Sequence, residues 1–384
     1  MSAAPIVIVG AGMAAYGVAR ELRKRDPQTA LLLVTGDAGG AYAKPMLSNA
    51  LALGRSAAQL QTHSAAQMAG QLNMTVLAHT RVLELDTTAH RIVTGAGPIG
   101  YRKLVLALGA EPIRLALKGD AAEQVLSVNH LDDYAELRAR LDAAGAGARV
   151  TILGAGLIGC EFADDLAAAG HRVTLVDPNP LPLAALAAPA LARALLAAWA
   201  GSAITLRLGT TANLVRRDGA ALRVELADGS SVASDLVLSA VGLRPALALA
   251  QAAGLATRRG IMVDGFGQTS AADVYALGDC AEYSNGAVLP YVAPLMAAAR
   301  AIGATLAGMA TPIEIRNDAV LVKTPSCKLA LSPPPTASLG AWTDATDAGR
   351  LVARFHDDQG RLRGYGLSQP TPALRAALQA ELDR

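Results

Sequence analysis

Two glycine-rich turns are the features of this sequence most suited to chemistry. Each follows a short apolar run, IVIV in the first copy and RVTIL in the second, and each precedes an alanine-rich stretch with helical spacing. The small residues are Gly10, Ala11, Gly12 and Ala15 in the first copy and Gly154, Gly156 and Gly159 in the second. In such turns the first glycine allows a tight strand-to-helix turn, and the second lets the backbone approach a pyrophosphate at the helix N-terminus. The repeat predicts two βαβ units and two dinucleotide sites.

Acidic residues near the ends of the second strands indicate which nucleotides bind. Asp177 closes the second strand of the second copy, where a carboxylate can accept hydrogen bonds from the adenosine ribose. No arginine follows it in DPNPLPL, which favours NADH over NADPH. In the first copy the strand LLLV ends in Thr35-Gly36-Asp37, so Asp37 is a late candidate for the ribose contact.

Composition excludes several classes of protein. The 384 residues carry a formal net charge of +2, which gives no basis for binding nucleic acid or a membrane surface by bulk charge. Three scattered cysteines indicate neither a disulfide scaffold nor a metal site, and a reducing, cytoplasmic location is expected. Residues 181–201 are apolar, but Pro182, Pro189 and Arg193 interrupt them, so we expect a packed helix rather than a membrane span.

The remaining patterns give the fold class. A β-rich stretch with a turn at Asp228-Gly229 follows the second unit, and an alanine-rich helix is expected from about Pro294 to Gly308. A compact C-terminal part begins near Arg316 and closes with the helical pattern ALRAALQAELD. The prediction is therefore an α/β protein with two Rossmann-like domains and a small α+β C-terminal domain.

Five ordered motifs carry a resemblance to a known family. They are GAGMAA at the start, LVLALGAEP at 104–112, GAGLIGCEFA at 154–163, SAVGLRP at 239–245 and VYALGDCAE at 274–282. Together they resemble the flavoprotein reductases of the glutathione-reductase type. The resemblance implies FAD in the first unit and the nicotinamide nucleotide in the second. It also implies an FAD-binding domain in two parts, 1–117 and 242–315, around an NAD-binding domain at 118–241, with a C-terminal domain at 316–384.

The resemblance also assigns residues to the cofactors. In chain order they are Gly10, Ala11, Gly12, Ala15, Thr35, Asp37, Lys44, Arg81, Val82, Ala107, Gly109, Gly154, Gly156, Gly159, Glu161, Asp177, Gly242, Gly278, Asp279, Val292 and Lys323. Asp279 resembles the aspartate that accepts a hydrogen bond from the ribityl chain of FAD, although a helix cap is the alternative. The helix that begins near Tyr291 to Leu295 could direct its positive N-terminal end at the flavin.

The first part of the FAD-binding domain, residues 1–117, contains no cysteine. Disulfide reductases of this family carry a redox cysteine pair beside the flavin, whereas this chain has YAKPMLSN at 42–49 and its first cysteine is Cys160. A thiol relay in the first domain is therefore excluded, and electrons should pass from the flavin directly to an external acceptor. Cys160 and Cys280 are expected to serve in packing.

Three residues are candidates for catalysis. AKPMLSNAL resembles the K/R-P-x-L-S stretch of ferredoxin and rubredoxin reductases, which implies that Lys44 lies beside flavin N5 and pairs with Glu161. VLVKTPSCKLAL at 320–331 resembles the start of the C-terminal domain in the rubredoxin-reducing branch, which places Lys323 near the flavin N1–C2=O edge. Surface lysines and a glutamate that complements the helix dipole remain the alternatives.

The acceptor is the last inference from the sequence. K-P-M-L-S in place of the R-P-P-L-S of many ferredoxin reductases favours the rubredoxin branch. The expected reaction is hydride transfer from NADH to FAD N5, then single-electron transfers to rubredoxin, with alkane hydroxylation or oxygen detoxification as the pathway. A ferredoxin reductase and a non-catalytic FAD/NAD-binding sensor are the alternatives. Rubredoxin is acidic, so a locally basic docking face is expected among Lys44, Arg55, Arg316, Lys323 and Lys328.

Overall fold

A computed structural model describes residues 4–316, 318–335 and 338–383 of the chain. Its described residues divide into two compact units. The first unit takes those within Met1–Lys44, Ala58–Glu111 and Leu243–Arg316, and the second takes those within Pro45–Ala57, Pro112–Gly242 and Asn317–Arg384. The predicted three-domain division stays a prediction, because the second unit holds both the middle and the C-terminal parts.

The helices and strands, in chain order, are as follows. The strands are β1 (Ile6–Val9), β2 (Leu31–Val34), β3 (Ala41–Tyr42), β4 (Gln61–His63), β5 (Thr75–Leu77), β6 (Val82–Asp86), β7 (Arg91–Thr94), β8 (Gly97–Gly100), β9 (Lys103–Leu106), β10 (Ala110–Pro112), β11 (Arg149–Leu153), β12 (Arg172–Asp177), β13 (Ile204–Leu208), β14 (Ala212–Asp218), β15 (Ala221–Leu226), β16 (Ser231–Ser234), β17 (Leu236–Ser239), β18 (Leu243–Pro245), β19 (Ile261–Met262), β20 (Val274–Ala276), β21 (Ala281–Glu282), β22 (Val320–Val322), β23 (Leu329–Ser332), β24 (Gly340–Asp347), β25 (Arg350–Asp357) and β26 (Leu362–Ser368). The helices are α1 (Met13–Arg23), α2 (Ala57–Leu60), α3 (Ala65–Gln71), α4 (Leu131–Ala144), α5 (Leu157–Ala168), α6 (Pro189–Ala198), α7 (Ala248–Ala252), α8 (Val292–Leu306) and α9 (Pro372–Leu382).

A five-stranded parallel sheet forms the core of the first unit. Its strand order is β20-β9-β1-β2-β5, and the central strand β1 pairs Ile6 with Leu31 on one side and with Lys103 on the other. All four residues of β1 are buried, as expected for a parallel strand covered on both faces. Because the strands are parallel, the residues after β1, β2, β9 and β20 gather at one edge of the sheet.

Helices α1 and α8 pack closely against each other at two glycines. A Cβ atom built at Gly17 would lie 3.0 Å from the Cβ of Ala299, and one at Gly303 would lie 2.5 Å from the Cβ of Glu21. Helices α1 and α8 approach at this distance only because both positions lack a side chain. The alanine-rich composition of the chain thus has a direct use in the first unit.

The second unit contains the second βαβ copy and the C-terminal part. Strands β13-β12-β11-β17 form a parallel sheet, and β14-β15-β16 form an antiparallel one in which the predicted Asp228-Gly229 turn joins β15 to β16. The C-terminal part is an antiparallel sheet of order β22-β23-β26-β25-β24 with α9 packed on β26. The predicted fold class is thereby observed, including the closing helix. Within the described residues, no helix is both long and apolar enough to span a membrane.

Glycine-to-alanine substitutions at two positions, one at the α1–α8 contact and one in α3, should change the stability of the protein in opposite directions. Gly303→Ala should lower the stability of the protein by about 1–3 kcal/mol, because its new methyl overlaps Glu21. Gly70→Ala lies in α3 with no atom within 4 Å of its Cβ and should raise stability by roughly 0.5–1 kcal/mol. Thermal unfolding of both variants measures the difference, and a Gly303→Ala midpoint at or above wild type would contradict the packing described.

Candidate functional site

The glycine turn of the first unit is built for close backbone approach. Gly10 has φ +111°, and a Cβ there would lie 2.3 Å from the carbonyl oxygen of Ala107. Its N–H donates to the Val34 carbonyl at 2.8 Å, so the turn is tied to the neighbouring strand. By contrast, a Cβ at Gly12 would meet no atom within 4 Å. The tight position and the open position are those that the sequence pattern predicted.

The start of α1 is suited to an anion. Gly12 is its N-cap, with no side-chain hydrogen bond to the helix and no acidic residue in the first turn. The first N–H groups of a helix have no partner within the helix, and the helix dipole makes this end positive. The open space at Gly12 and these donors fit the pyrophosphate of FAD.

Other predicted FAD residues lie after neighbouring strands of the same sheet. Thr35 is buried, and its hydroxyl donates to Asp37, which also accepts from the Gly39 N–H. Thr80, which precedes the predicted pair Arg81 and Val82, donates its N–H to the Thr35 carbonyl. These contacts place Thr35, Asp37, Arg81 and Val82 together, with one Asp37 oxygen already used by protein donors.

The Gly278-Asp279 turn adds the acidic group at this edge. A Cβ at Gly278 would lie 3.3 Å from the Cβ of Ala14 in α1, so this turn and the first turn of α1 are in contact. The Lys44 ammonium forms an ion pair with the Asp279 carboxylate at 3.6 Å. The Tyr283 hydroxyl is buried beside this turn and is hydrogen-bonded to the Gly278 backbone. Lys44 and Asp279 are therefore the polar side chains that this edge offers to a ligand.

The glycine turn of the second unit repeats this geometry. Gly154 has φ +106°, and a Cβ there would lie 2.6 Å from the Ala240 carbonyl oxygen. A Cβ at Gly159 would lie 1.9 Å from the Gly154 carbonyl oxygen, whereas one at Gly156 would meet no atom within 4 Å. Gly156 is the N-cap of α5, again without a side-chain cap. The second turn therefore fits a dinucleotide on the same physical grounds as the first.

Asp177 holds the second glycine turn in place through a hydrogen bond and lies at the end of strand β12 beside it. One carboxylate oxygen accepts from the Ala155 N–H at 2.6 Å, and the other accepts from the N–H and side-chain amide of Asn179 at 2.8 and 2.9 Å. Thr210 follows β13 and Ser239 ends β17, and the buried hydroxyls of both have no hydrogen-bond partner among the described residues. A ribose hydroxyl would use the remaining acceptor capacity of Asp177.

Glu161 lies at the centre of a buried polar cluster in the second unit. It is 1% exposed and accepts from the Ser48 hydroxyl at 2.6 Å and from the Lys323 backbone N–H at 2.9 Å. The Lys323 ammonium binds it at 2.8 Å and also donates to the Pro45 carbonyl at 2.5 Å. The carboxylate is thus compensated by one cation and several donors, as a buried charge requires.

The expected pairing of Lys44 with Glu161 is wrong. Within the first unit Lys44 pairs with Asp279, and within the second unit Glu161 pairs with Lys323. The reason is that Lys323 presents both its backbone N–H and its ammonium to Glu161. Each of these two lysines therefore has a carboxylate partner, and the partner of Lys44 differs from the expected one.

Two further carboxylates on α5 escaped the sequence analysis. Asp164 accepts from Trp199 Nε1 at 2.9 Å and from the hydroxyl of Ser326 at 2.6 Å. Asp165 accepts from the backbone N–H groups of Leu51 and Ala52 at 2.9 and 3.0 Å. Burial raises the pKa of Asp165 above its usual range, although those N–H donors oppose the shift. The spacing E-F-A-D-D in an otherwise apolar helix was the available signal, because positions three and four apart share a helix face.

The three cysteines have no geometry for a thiol relay. Cys160 and Cys280 are fully buried, as the packing prediction expected. Burial raises the pKa of the Cys160 thiol well above its usual range and that of Cys280 to about 11. Burial also raises the pKa of the half-buried Cys327. Such thiols are poor nucleophiles at neutral pH.

Two parallel sheets, each with a glycine turn that opens onto an uncapped helix start, define a protein with two dinucleotide sites. The chain belongs to the pyridine nucleotide-disulphide oxidoreductase family, whose model matches residues 4–308. A second model, described as a rubredoxin binding C-terminal domain, matches residues 312–382. Members of the family are oxidoreductases that bind FAD and use a pyridine nucleotide, so the predicted family, fold class, enzyme class and cofactors are confirmed at this level.

Two relatives among characterised proteins match over nearly the full length of this chain. A rubredoxin-NAD(+) reductase of Alcanivorax borkumensis is 43% identical and covers 98% of this chain and 98% of its own. One of Acinetobacter baylyi is 42% identical and covers 94% and 93%. Among solved structures, a ferredoxin reductase for the CYP199A2 system from Rhodopseudomonas palustris matches with a TM-score of 0.88 and 26% identity, covering 99% of this chain and 95% of that one.

The two glycine turns predict separable effects on the two nucleotides. Asp177→Ala removes a charged acceptor, whose hydrogen bonds are worth about 1.5–3 kcal/mol each. We expect the KM for NADH to rise about tenfold or more, with the FAD absorbance per protein unchanged. Asp37→Ala is the reciprocal control and should weaken FAD retention. Loss of FAD from Asp177→Ala would mean that the two sites are exchanged.

Proposed function

We propose that the chain is an FAD-dependent NADH:rubredoxin reductase. When bound, FAD accepts two electrons from NADH and passes them on singly, which suits a one-electron iron acceptor. The names of the relatives and the match to a rubredoxin binding C-terminal domain support this function. The two uncapped helix starts at Gly12 and Gly156 support it independently, because an enzyme of this kind needs two dinucleotides.

The contact between Glu161 and Lys323 carries the proposal. Glu161 is on the helix that begins at the second glycine turn, and Lys323 is in the segment matched to the rubredoxin binding domain. Their 2.8 Å ion pair therefore joins the nucleotide-binding part of the second unit to its C-terminal part. A pure nucleotide-binding sensor has no need for a buried charge pair at that junction, whose formation requires desolvating Glu161.

The proposed roles of the other residues follow from their surroundings. The turns at Gly10 and Gly154 hold the two pyrophosphates against helix N-termini. Lys44, Asp279, Ala107, Gly109 and Val292 belong to the FAD side. Lys44 is 35% exposed and Asp279 18%, so their pair keeps a positive group accessible at the edge where the flavin is expected. A cation there favours the negative charge that develops on reduction.

The location and the pathway are further parts of the proposal. Three cysteines without a redox partner suit a reducing cytoplasm. Alkane hydroxylation is the proposed destination of the electrons, and oxygen detoxification is the alternative.

A panel of acceptors tests the function. Purified holoprotein with NADH should reduce a rubredoxin at least tenfold faster, in kcat/KM, than a [2Fe–2S] ferredoxin or oxygen. Ferricyanide, a small acceptor, serves as the control for flavin reduction. Faster reduction of the ferredoxin would assign the chain to the ferredoxin reductases instead. A bound flavin that NADH fails to bleach would leave only the sensor hypothesis.

Glu161→Gln tests the buried pair. The amide keeps the size of Glu161 but removes its charge, which leaves the Lys323 ammonium without its carboxylate. We expect NADH to reduce the flavin about tenfold to a hundredfold more slowly in stopped-flow measurements, by analogy with the loss of one preorganised electrostatic group.

Glu136→Gln is the matched control for Glu161→Gln. Glu136 is an exposed glutamate on α4, paired with Arg140, and its replacement should leave the flavin reduction rate unchanged. Equal rates of flavin reduction in the Glu161→Gln variant and wild type would mean that Glu161 has only a structural role.

A further inference from the structure

A short turn in the second unit contains none of the predicted nucleotide-binding residues but is held at both ends by hydrogen bonds. Residues Leu51 to Arg55 form it, with Gly54 at φ +63° and the Arg55 N–H bonded to the Ala50 carbonyl at 3.0 Å. The buried Asp165 accepts from Leu51 and Ala52 at one end. At the other end, the Tyr134 hydroxyl donates to the Arg55 carbonyl at 2.8 Å. The turn is therefore fixed at both ends by side chains of α4 and α5.

The outer side of this turn combines an exposed apolar side chain with uncompensated charge. Leu53 is 62% exposed, so its side chain is available to a partner. Arg55 is exposed. The half-buried Arg138 donates a hydrogen bond from its Nη1 to the Arg55 carbonyl at 3.4 Å. Across the described ranges, neither arginine forms an ion pair with a carboxylate. We call Leu53, Arg55 and Arg138 the arginine turn.

The arginine turn continues into the C-terminal part of the unit. The same face of α5 that holds it through Asp165 also holds Ser326 through Asp164 and Lys323 through Glu161. Ser326 and Lys323 lie in the segment matched to the rubredoxin binding domain, 312–382. Consecutive residues of one helix thus bind the turn and that segment, which makes the two surfaces neighbours.

We propose that the arginine turn is a docking surface for the acidic electron-acceptor protein, outside the segment matched to the rubredoxin binding domain. This inference rests on the proposed function. The two arginines would steer a negatively charged partner, and Leu53 would insert into an apolar area on it. Arginine is enriched at protein contact surfaces, whereas lysine and glutamate are depleted there. Of the five cations that the sequence suggested for docking, Lys44, Lys323 and Arg316 are paired with carboxylates. Among the described residues, Arg55 and Lys328 form no ion pair, and of these two Arg55 is the one beside an exposed leucine.

Charge reversal and an apolar-to-acid change test the proposal. Arg55→Glu and Leu53→Asp should each raise the KM for a purified rubredoxin about fivefold or more, with kcat changed less than twofold. Arg55→Glu should also flatten the decrease of kcat/KM with added NaCl, because screening acts on the steering charge. NADH:ferricyanide activity should stay at the wild-type level in both variants, since neither residue is among those assigned to nucleotide binding.

Matched controls separate docking from general charge and from folding. Arg207→Glu makes the same change in net charge at an exposed arginine on β13. Leu83→Asp makes the same apolar-to-acid change at a leucine that is 61% exposed. Both should leave the KM for rubredoxin within twofold of wild type. A KM unchanged by Arg55→Glu and Leu53→Asp, in a protein that reduces rubredoxin, would overturn the docking surface alone. A wild-type protein that fails to reduce any rubredoxin would overturn the proposed function and this inference with it.

Discussion

Three carboxylates buried on one face of α5 are the constraint on which much of the second unit depends. Glu161, Asp164 and Asp165 are 1%, 6% and 3% exposed. A buried carboxylate needs hydrogen-bond donors or a cation, and removal of those partners is strongly destabilising. Only Lys323 supplies a cation among the described contacts of these three residues. The other donors are backbone N–H groups and neutral side chains, so their segments must remain in place for the helix to stay buried.

Those donors come from parts of the chain far from α5. Segment 48–52 lies more than a hundred residues before it, and segment 323–326 lies about 160 residues after it. Asp165 illustrates the balance, since burial raises its pKa while two N–H groups stabilise its charged form. The helix that begins at the second glycine turn thus also fixes two segments that are distant from it in the sequence. Specific long-range contacts, rather than apolar packing alone, set their positions.

The locality of each interaction explains what could be predicted from the sequence. The glycine turns were predictable because a turn, a close backbone approach and a helix start are encoded within a few residues. Helix α8 begins at Val292, within the range expected from the sequence, and Pro294 lies in its first turn, where proline is tolerated. The partner of Glu161 was not predictable, because the choice between Lys44 and Lys323 depends on tertiary packing. The carboxylates of Asp164 and Asp165 were visible as spacing, but their donors were not.

The geometry of α5 also limits how its two ends can communicate. Asp165 lies nine residues after the N-cap Gly156, a separation of about 14 Å at 1.5 Å per residue. An α-helix of this length behaves as a rigid spacer, so a nucleotide at its start and a contact near its end are held at a fixed distance without any need for movement. Coupling would require an element with two discrete arrangements. The fully bonded carboxylates of α5 disfavour a second arrangement, because any shift of the helix would leave buried charges without donors. The buried carboxylates of α5 therefore hold the start and the end of this helix at a fixed distance from each other.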